Sequence, residues 1–499
     1  MNRRQKESRE EKEIIVIYSD KRRDFLKTLG WGAAALALNG CGAGKRSYTN
    51  IIIIYADDQG YDDLGCYGAE SISTPNIDEL AKTGVRFTNF YSAHGVCSAS
   101  RAALLTGCYG NRVSVYGAYG PQAKNGLHPN EETLAEVLKK KDYICGIFGK
   151  WHLGHHVPFL PLQQGFDEYF GLPYSNDMWP IDYDGEPAEE GQRKRNHPWP
   201  PLIDGNDKVG EVKSQEDQNR LTSMYTEKAV DFIQRHRDRP FFLYVPHSMP
   251  HTPLGVSDRF KGKSPYGRYG DVIMELDWSV GRIMKALKDN RLDRNTLIVY
   301  TSDNGPWLNF GTHAGSAGPF REGKGTAMEG GMRVPCIIRW PGHTEAGAVS
   351  HQISCTIDLL PTLAAVAGAP IPERPIDGVD LRPVLEGDGN AAPRRELAYY
   401  YGKTLCAVRE GRWKLHFPHS YRSYEGVLPG LNGLNGPYNR KETGVALYDL
   451  DRDPGERYNV ADNHPDIVDR LMERGEYYRS RLGDGDMQGS EVRPPGRVD

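Results

Sequence analysis

Cys97 stands four residues before Arg101 in the run Cys97-Ser98-Ala99-Ser100-Arg101. On a helix that spacing puts both side chains on one face. Ser98 to Thr106 is rich in Ala and Leu, and Gly107 supplies a stop. Cys97 is therefore expected at a helix N-terminus, where free N–H groups and the helix dipole favour an anion. One reading of the pair is a soft nucleophile beside a fixed cation. The other is a buried cysteine beside a solvated arginine.

The remaining chemistry sits in short polar clusters. Asp57, Asp58, Asp303 and Asn304 offer only oxygen donors, three of them anionic, with no histidine or thiolate interleaved. Such a set suits a hard cation, Ca²⁺ or Mg²⁺, better than zinc. Either pair alone is also an ordinary turn or cap. Two of them in one sheet bring carboxylates together, and a metal relieves the repulsion that would otherwise raise a carboxyl pKa. Gly149-Lys150-Trp151-His152-Leu153-Gly154 places a cation and a titratable base two residues apart. Pro250-His251-Thr252-Pro253 and Gly323-Lys324-Gly325 add a further base and cation.

Short apolar runs must position these clusters. Ile51 to Tyr55 leads into Asp57-Asp58, Tyr143 to Phe148 into Lys150 and His152, Phe241 to Val245 into His247 and His251, and Leu297 to Thr301 into Asp303-Asn304. Continuous apolar runs of this length suit strands buried on both faces of a parallel sheet. Helical patterns lie between them at Asn76 to Lys82, Glu131 to Lys140, Thr226 to Arg235 and Asp271 to Asp289. The last repeats Ile273, Leu276, Val280, Ile283, Met284 and Leu287 at helical spacing. Alternating strands and helices make the main domain α/β, with its site beyond the carboxyl ends of the strands. All four clusters are expected to gather there.

From about Arg395 the pattern changes. Leu397 to Tyr401, Leu405 to Val408, Trp413 to Phe417 and Ala446 to Leu450 read as short strands, and Pro465 to Leu482 as a closing helix. The expected division is residues 1–45, 46–394 and 395–499, the last a small α+β domain. Two polar, Pro/Gly-rich segments, Asp177 to Gln218 and His419 to Gly444, are long for simple connections. They hold Trp179, Tyr183, Arg193, Lys194, Arg195, Trp199 and Tyr421, types suited to sugars and anions, and equally to a solvated surface.

The 499 residues are 38% hydrophobic with a formal net charge of −4, enough for a large core. No basic stretch is long enough to track a phosphate backbone, which argues against nucleic acid as a partner. The eight cysteines include no CxxC pair, so neither a zinc ribbon nor a disulfide scaffold is indicated. Lys21-Arg22-Arg23-Asp24-Phe25-Leu26-Lys27 precedes an apolar stretch from Leu29 to Leu38 that is too short to span a bilayer. It reads as a twin-arginine export signal, implying the twin-arginine translocase as a partner. Leu38-Asn39-Gly40-Cys41 resembles a bacterial lipobox. The expected location is periplasmic, or membrane-anchored through a lipidated Cys41.

In this order the clusters resemble the sulfatase family of the alkaline-phosphatase-like superfamily over about Asn50 to Val460. The signature Cys-x-Pro/Ala-x-Arg appears as Cys97, Ala99 and Arg101, continuing into Ala102 to Gly107. Gly171 to Asp177, Gly323 to Thr326, Glu329 to Arg333 and Asp451 to Glu456 carry a closer likeness to the arylsulfatase A and N-acetylgalactosamine-6-sulfatase branch. The resemblance implies a large, mostly parallel mixed sheet sandwiched by helices and a C-terminal domain built on a short antiparallel sheet. It also implies one Ca²⁺ on Asp57, Asp58, Asp303, Asn304 and the modified Cys97.

In this family the signature cysteine is oxidised to formylglycine by a separate formylglycine-generating or anaerobic sulfatase-maturing enzyme. Cys97 would then act as an aldehyde hydrate, one hydroxyl attacking sulfur and the other allowing sulfate release without a second attack there. Arg101 and Lys150 match residues that hold the hydrate, and His152 the one that assists elimination. His251 and Lys324 match groups on the sulfate and leaving oxygen, with His251 as general acid. Ser175 matches a further sulfate contact. The implied substrates are sulfated carbohydrates or aryl sulfates. Two other functions remain open from sequence: hydrolysis of phosphomonoesters or phosphonate monoesters, and non-catalytic carbohydrate binding if Cys97 is not matured.

Overall fold

The four apolar runs become four adjacent strands. The computed structural model describes residues 48–183 and 185–499; the export signal and Cys41 lie outside the described residues. The main sheet has ten strands: β1 (Asn50–Ala56), β2 (Val85–Phe87), β3 (Ile144–Phe148), β4 (Glu168–Gly171), β5 (Pro201–Asp204), β6 (Asp207–Glu211), β7 (Phe241–Pro246), β8 (Thr296–Ser302), β9 (Cys336–Arg339) and β10 (Ala348–Ser350). Their order is β10-β2-β9-β8-β1-β7-β3-β4-β5-β6. The central strands β8, β1, β7, β3 and β4 pair in parallel. Antiparallel β9 and β5 flank this block.

Every residue of β1, β7 and β8 is buried, and the period of two divides their side chains between two cores. Ile51, Ile53 and Tyr55 join the layer of helices Cys97–Thr106, Leu134–Lys139 and Leu359–Ala367. Ile52, Ile54 and Ala56 join the layer of Pro75–Lys82, Gln215–Arg235 and Arg268–Asp289. Each large apolar side chain taken out of water contributes roughly 1.5–3 kcal/mol. The α/β expectation therefore holds, as a sheet sandwiched between helical layers.

The C-terminal strands Glu396–Tyr401, Thr404–Glu410, Trp413–His416 and Ala446–Asp449 form a four-stranded antiparallel sheet. The helix Pro465–Leu482 packs on it through Leu471, Tyr478 and Leu482. A buried ionic cluster ties this sheet to the short helix Glu329–Met332 of the main domain. Lys414 Nζ lies 3.0 Å from Glu329 and 2.8 Å from Glu456. Glu456 also accepts the Glu329 backbone N–H at 2.7 Å and pairs with His416 Nε2 at 2.7 Å.

Several elements differ from the sequence reading: the helices expected from Glu131 and Asp271 begin at Leu134 and Arg268. Gln215–Arg235 begins eleven residues before Thr226, at a capping box in which Ser214 and Asp217 satisfy each other's backbone N–H groups. The polar face of that first part hides its helical period. The two long polar segments also fold into hairpins: β5 with β6, and His419–Ser423 with Asn439–Thr443. Both are solvated on one side, so their strands lack the apolar signal of the central ones.

Candidate active site

The carboxyl ends of the parallel strands deliver the clusters to one place. Asp57 and Asp58 follow β1, Lys150 and His152 follow β3, His251 follows β7, and Asp303 and Asn304 follow β8. Gly149 allows the Lys150 turn: its φ is +145°, and a Cβ there would fall 2.0 Å from the Pro246 carbonyl oxygen. The Lys150 N–H donates to that same carbonyl at 2.7 Å, locking the turn against β7. His247 does not join. It extends the strand by one residue and faces the opposite layer, where its Nε2 meets Ser279 Oγ at 3.2 Å.

Helix Cys97–Thr106 starts at Cys97, and Gly107 ends it in the left-handed conformation. All ten of its residues are buried. Its start is fastened by hydroxyls: Ser100 meets Tyr55 and Ser92 at 2.9 Å each, and Ser92 donates to the Asp303 carbonyl at 2.6 Å. Arg101 thereby reaches across the sheet ends. Its Nη2 donates to Asp57 and Asp303, both at 2.9 Å, and its Nη1 to the Lys150 carbonyl at 2.8 Å. It is a buried organiser rather than a solvated cation.

Lys150 Nζ bridges Asp57 Oδ2, at 2.5 Å, and Ser175 Oγ, at 3.1 Å. Lys324 Nζ donates to Asp58 at 2.7 Å. Asn304 Nδ2 donates to Asp58 Oδ1 at 2.7 Å, and the Asp58 N–H to Asp303 Oδ1 at 3.1 Å. His251 Nε2 faces Asp58 Oδ2 at 3.6 Å. His152 Nε2 donates to the Tyr119 carbonyl at 3.0 Å, while its Nδ1 is buried without a hydrogen-bond partner among the described residues. The structure thus brings together all eleven residues singled out from sequence. Three buried cations, Arg101, Lys150 and Lys324, face the three buried carboxylates Asp57, Asp58 and Asp303.

The electrostatics follow from that packing. Burial raises the Asp303 carboxyl to about 7, with the neighbouring Asp57 charge adding to the effect. Burial works the same way on Asp57, but Lys150 and Arg101 overcome it and hold that carboxyl far below its usual range. Burial, then Lys150 and Arg101, depresses His152. Burial and Lys324 depress His251. The Cys97 thiol is pushed up by burial to about 11, although Lys150 and Lys324 pull the other way. Desolvation outweighs the two ammonium groups here. Burial thus favours the protonated thiol, which is not the nucleophilic form of cysteine.

The pocket also fits a cation. Single ligand atoms of Asp57, Asp58 and His251 lie within 4.8 Å of one another. Asp57 Oδ1 and Asn304 Oδ1 are buried without a hydrogen-bond partner among the described residues. Orphaned buried oxygens beside crowded carboxylates are the donor chemistry a hard dication satisfies. His251 enters this group in space, although the sequence reading kept it apart as an acid.

Of the loop residues, Trp179 is buried and packs edge-on against Trp199, with ring centroids 6.4 Å apart. Lys194 Nζ lies over the Tyr183 ring, and Arg195 donates to the Ala188 carbonyl. Two residues beside Lys324 and Gly325 went unnoticed in the sequence, Trp307 and Arg422. Trp307 follows Asp303-Asn304 by three positions, a weak signal available beforehand. Arg422 carries none, since a hairpin brings it from far along the chain.

A hydrolase of anionic esters is the class these features define: a parallel sheet whose strand ends hold carboxylates and cations beside a helix start. The sulfatase profile matches residues 49–369, and a second profile, the C-terminal region of aryl-sulfatase, matches residues 392–495. Human arylsulfatase A is 40% identical over 449 residues, covering 85% of this chain and 86% of its own. N-acetylgalactosamine-6-sulfatase of Canis lupus familiaris is 40% identical over 473 residues, covering 89% and 88%. The crystal structure of the PsFucS1 sulfatase from Pseudoalteromonas sp. superposes with a TM-score of 0.77 at 27% identity, covering 89% of this chain and 92% of that one. The chain belongs to the sulfatase family and is a sulfuric ester hydrolase.

Proposed function

We propose that this chain removes sulfate from sulfated carbohydrates, with aryl sulfates as surrogates, using a formylglycine made from Cys97 and one Ca²⁺. The observation that carries the reading is that Arg101, Lys150 and Lys324, each buried, converge on the Asp57 and Asp58 carboxylates close enough to Cys97 for their charges to act on it. A sulfate monoester is anionic, so fixed cations must offset charge on its oxygens as the ester bond breaks. The relative named N-acetylgalactosamine-6-sulfatase supports a sugar sulfate as substrate.

Asp57, Asp58, Asp303 and Asn304 would hold Ca²⁺, with the oxygen of the modified Cys97. Bound there, the ion supplies positive charge that polarises a sulfate oxygen. Oxidation of Cys97 replaces a thiol that burial keeps protonated with a hydrated aldehyde, an oxygen nucleophile with a second hydroxyl for release. Arg101 fixes the strand ends and the Cys97 helix start. Lys150 and Ser175 stand side by side to bind sulfate oxygens. His251 serves the leaving oxygen. Its Nδ1 donates to the Thr252 carbonyl at 2.6 Å, so Nε2 carries the titrating proton, and Lys324 stands beside it as the companion cation.

The surrounding biology follows from the same reading. A separate maturing enzyme oxidises Cys97 in the cytoplasm, and the twin-arginine translocase exports the chain to the periplasm, with Cys41 as a lipid anchor. The test is parallel turnover of an aryl sulfate, an aryl phosphate and defined sulfated sugars by matured protein. Sulfate release exceeding phosphate release is expected. Preferential phosphate release would overturn the proposal.

A further inference from the structure

The rim beside Lys324 carries a cation with no acid opposite it. Gly325, at φ +80° and without a side chain, leaves room for the Arg422 guanidinium, whose Nη1 stands 3.3 Å from where a Cβ would fall. Arg422 comes from the hairpin His419–Ser423 and lies over the Tyr438 ring, 5.1 Å from its centroid. Tyr424, which feels the charges of both Arg422 and Lys324, donates its phenol to the Lys324 carbonyl at 3.1 Å.

The acids nearby are engaged elsewhere. Glu322 accepts Ser423 Oγ at 2.6 Å and the Tyr424 N–H at 2.8 Å. Glu425 pairs with Arg321 and Lys441. Among the described residues, no carboxylate stands within ion-pair distance of Arg422. A half-buried guanidinium without a counter-ion, beside the cation that serves the leaving oxygen, is a fork-shaped receptor for a carboxylate or sulfate.

Trp307 forms the adjoining wall. It is half-buried, its ring centroid lies 5.3 Å from that of His251, and Lys324 Nζ is 4.4 Å from the ring centroid. Phe310 braces it edge-on at 4.6 Å. The loop beyond the Arg422 strand holds this segment in place, because the Gly430 and Gly436 N–H groups both donate to the Asn309 carbonyl, at 2.8 and 2.6 Å. One structural unit therefore presents Arg422 and steadies Trp307 next to the two groups that meet the leaving oxygen.

We propose that Arg422 and Trp307 form the subsite for the alcohol half of the ester. Trp307 packs against its ring, and Arg422 binds a second anionic group on it, a carboxylate or a further sulfate. The preferred substrate is thus a sulfated acidic sugar rather than a neutral one. The inference rests on the sulfatase reading, and no bond changes at this subsite.

The test uses the full chain in two forms. Matured protein is assayed for kcat/KM on a monosulfated neutral sugar, a disulfated sugar and a monosulfated uronic acid. The Cys97→Ala chain is titrated calorimetrically with the same compounds, so that binding is read without turnover. The native residues should favour at least one doubly anionic compound, and its identity distinguishes carboxylate from sulfate. Arg422→Gln should cut that preference about tenfold, the worth of a charge-assisted hydrogen bond. Trp307→Leu should weaken ring-bearing esters relative to methyl sulfate by a similar factor. An unchanged preference in Arg422→Gln, or no preference in the native protein, would overturn the subsite. Retained binding preference with no sulfate release from any ester would instead overturn the sulfatase reading and leave the subsite standing.

Discussion

Replacing His251 by alanine tests the division of labour at the leaving oxygen. Because Nδ1 is committed to the Thr252 carbonyl, the mobile proton resides on Nε2, which faces the pocket beside Asp58 and Lys324. Removing a positioned general acid costs about 10²–10⁴ in rate when the leaving group needs a proton. A sugar alkoxide does; 4-nitrophenolate, a stable anion, does not. His251→Ala should therefore lower kcat on a sugar sulfate by about 10³, or roughly 4 kcal/mol of barrier, and on 4-nitrophenyl sulfate by no more than about tenfold. Burial and Lys324 set the His251 pKa below 6.5. The acid form is then a minority at pH 7 and grows as pH falls, so native turnover of the sugar ester should rise toward acid pH. Steady-state rates on both esters from pH 5 to 8 provide the assay. Equal losses on the two esters, or a sugar rate in the variant that still rises toward acid pH, would refute His251 as the proton donor.

Further outcomes can be checked without a natural substrate. Chelation should abolish aryl sulfate turnover and Ca²⁺ should restore it, because the donors are oxygens; restoration by zinc alone would contradict the proposed ligand set. Lys414→Met leaves Glu329 and Glu456 buried without their shared cation, and denaturant unfolding should show a loss of about 3–5 kcal/mol; a change below about 1 kcal/mol would mean that the cluster is not what holds the small sheet to the helix Glu329–Met332. Burial opposes ionisation of Glu456, but Lys414 and His416 prevail and lower it from 4.5 to about 2. Its stabilisation is complete above pH 4.5 and lost as pH falls toward 2. Glu456→Gln should therefore flatten the acid limb of a thermal-stability profile, and an unaltered limb would count against that linkage.

Much of this site was legible because each central strand writes its own two-faced apolar run and ends in a polar cluster. Ile51 to Tyr55 followed by Asp57-Asp58 needs no tertiary context to be read. The gathering of the clusters was legible too, since parallel strands align their carboxyl ends. Hidden were features that depend on distant partners. His247 and His251 follow the same strand, yet one faces the opposite helical layer and the other the pocket. Arg422 arrives on a polar hairpin that looked like a loop. Arg101 looked as suited to solvent as to burial until Asp57 and Asp303 were seen on either side of it. The burial that raises the Cys97 thiol likewise comes from the assembled pocket, whereas the local sequence advertises only a helix start that favours an anion.

The most direct test compares two preparations of the full chain, made with and without a sulfatase-maturing enzyme. In each, peptide mass spectrometry measures the fraction of Cys97 converted to the aldehyde, against release of inorganic sulfate from 4-nitrophenyl sulfate. Sulfate release proportional to the converted fraction, and none from chains holding an intact thiol, is the predicted result. Full turnover by protein whose Cys97 remains entirely thiol would contradict the account.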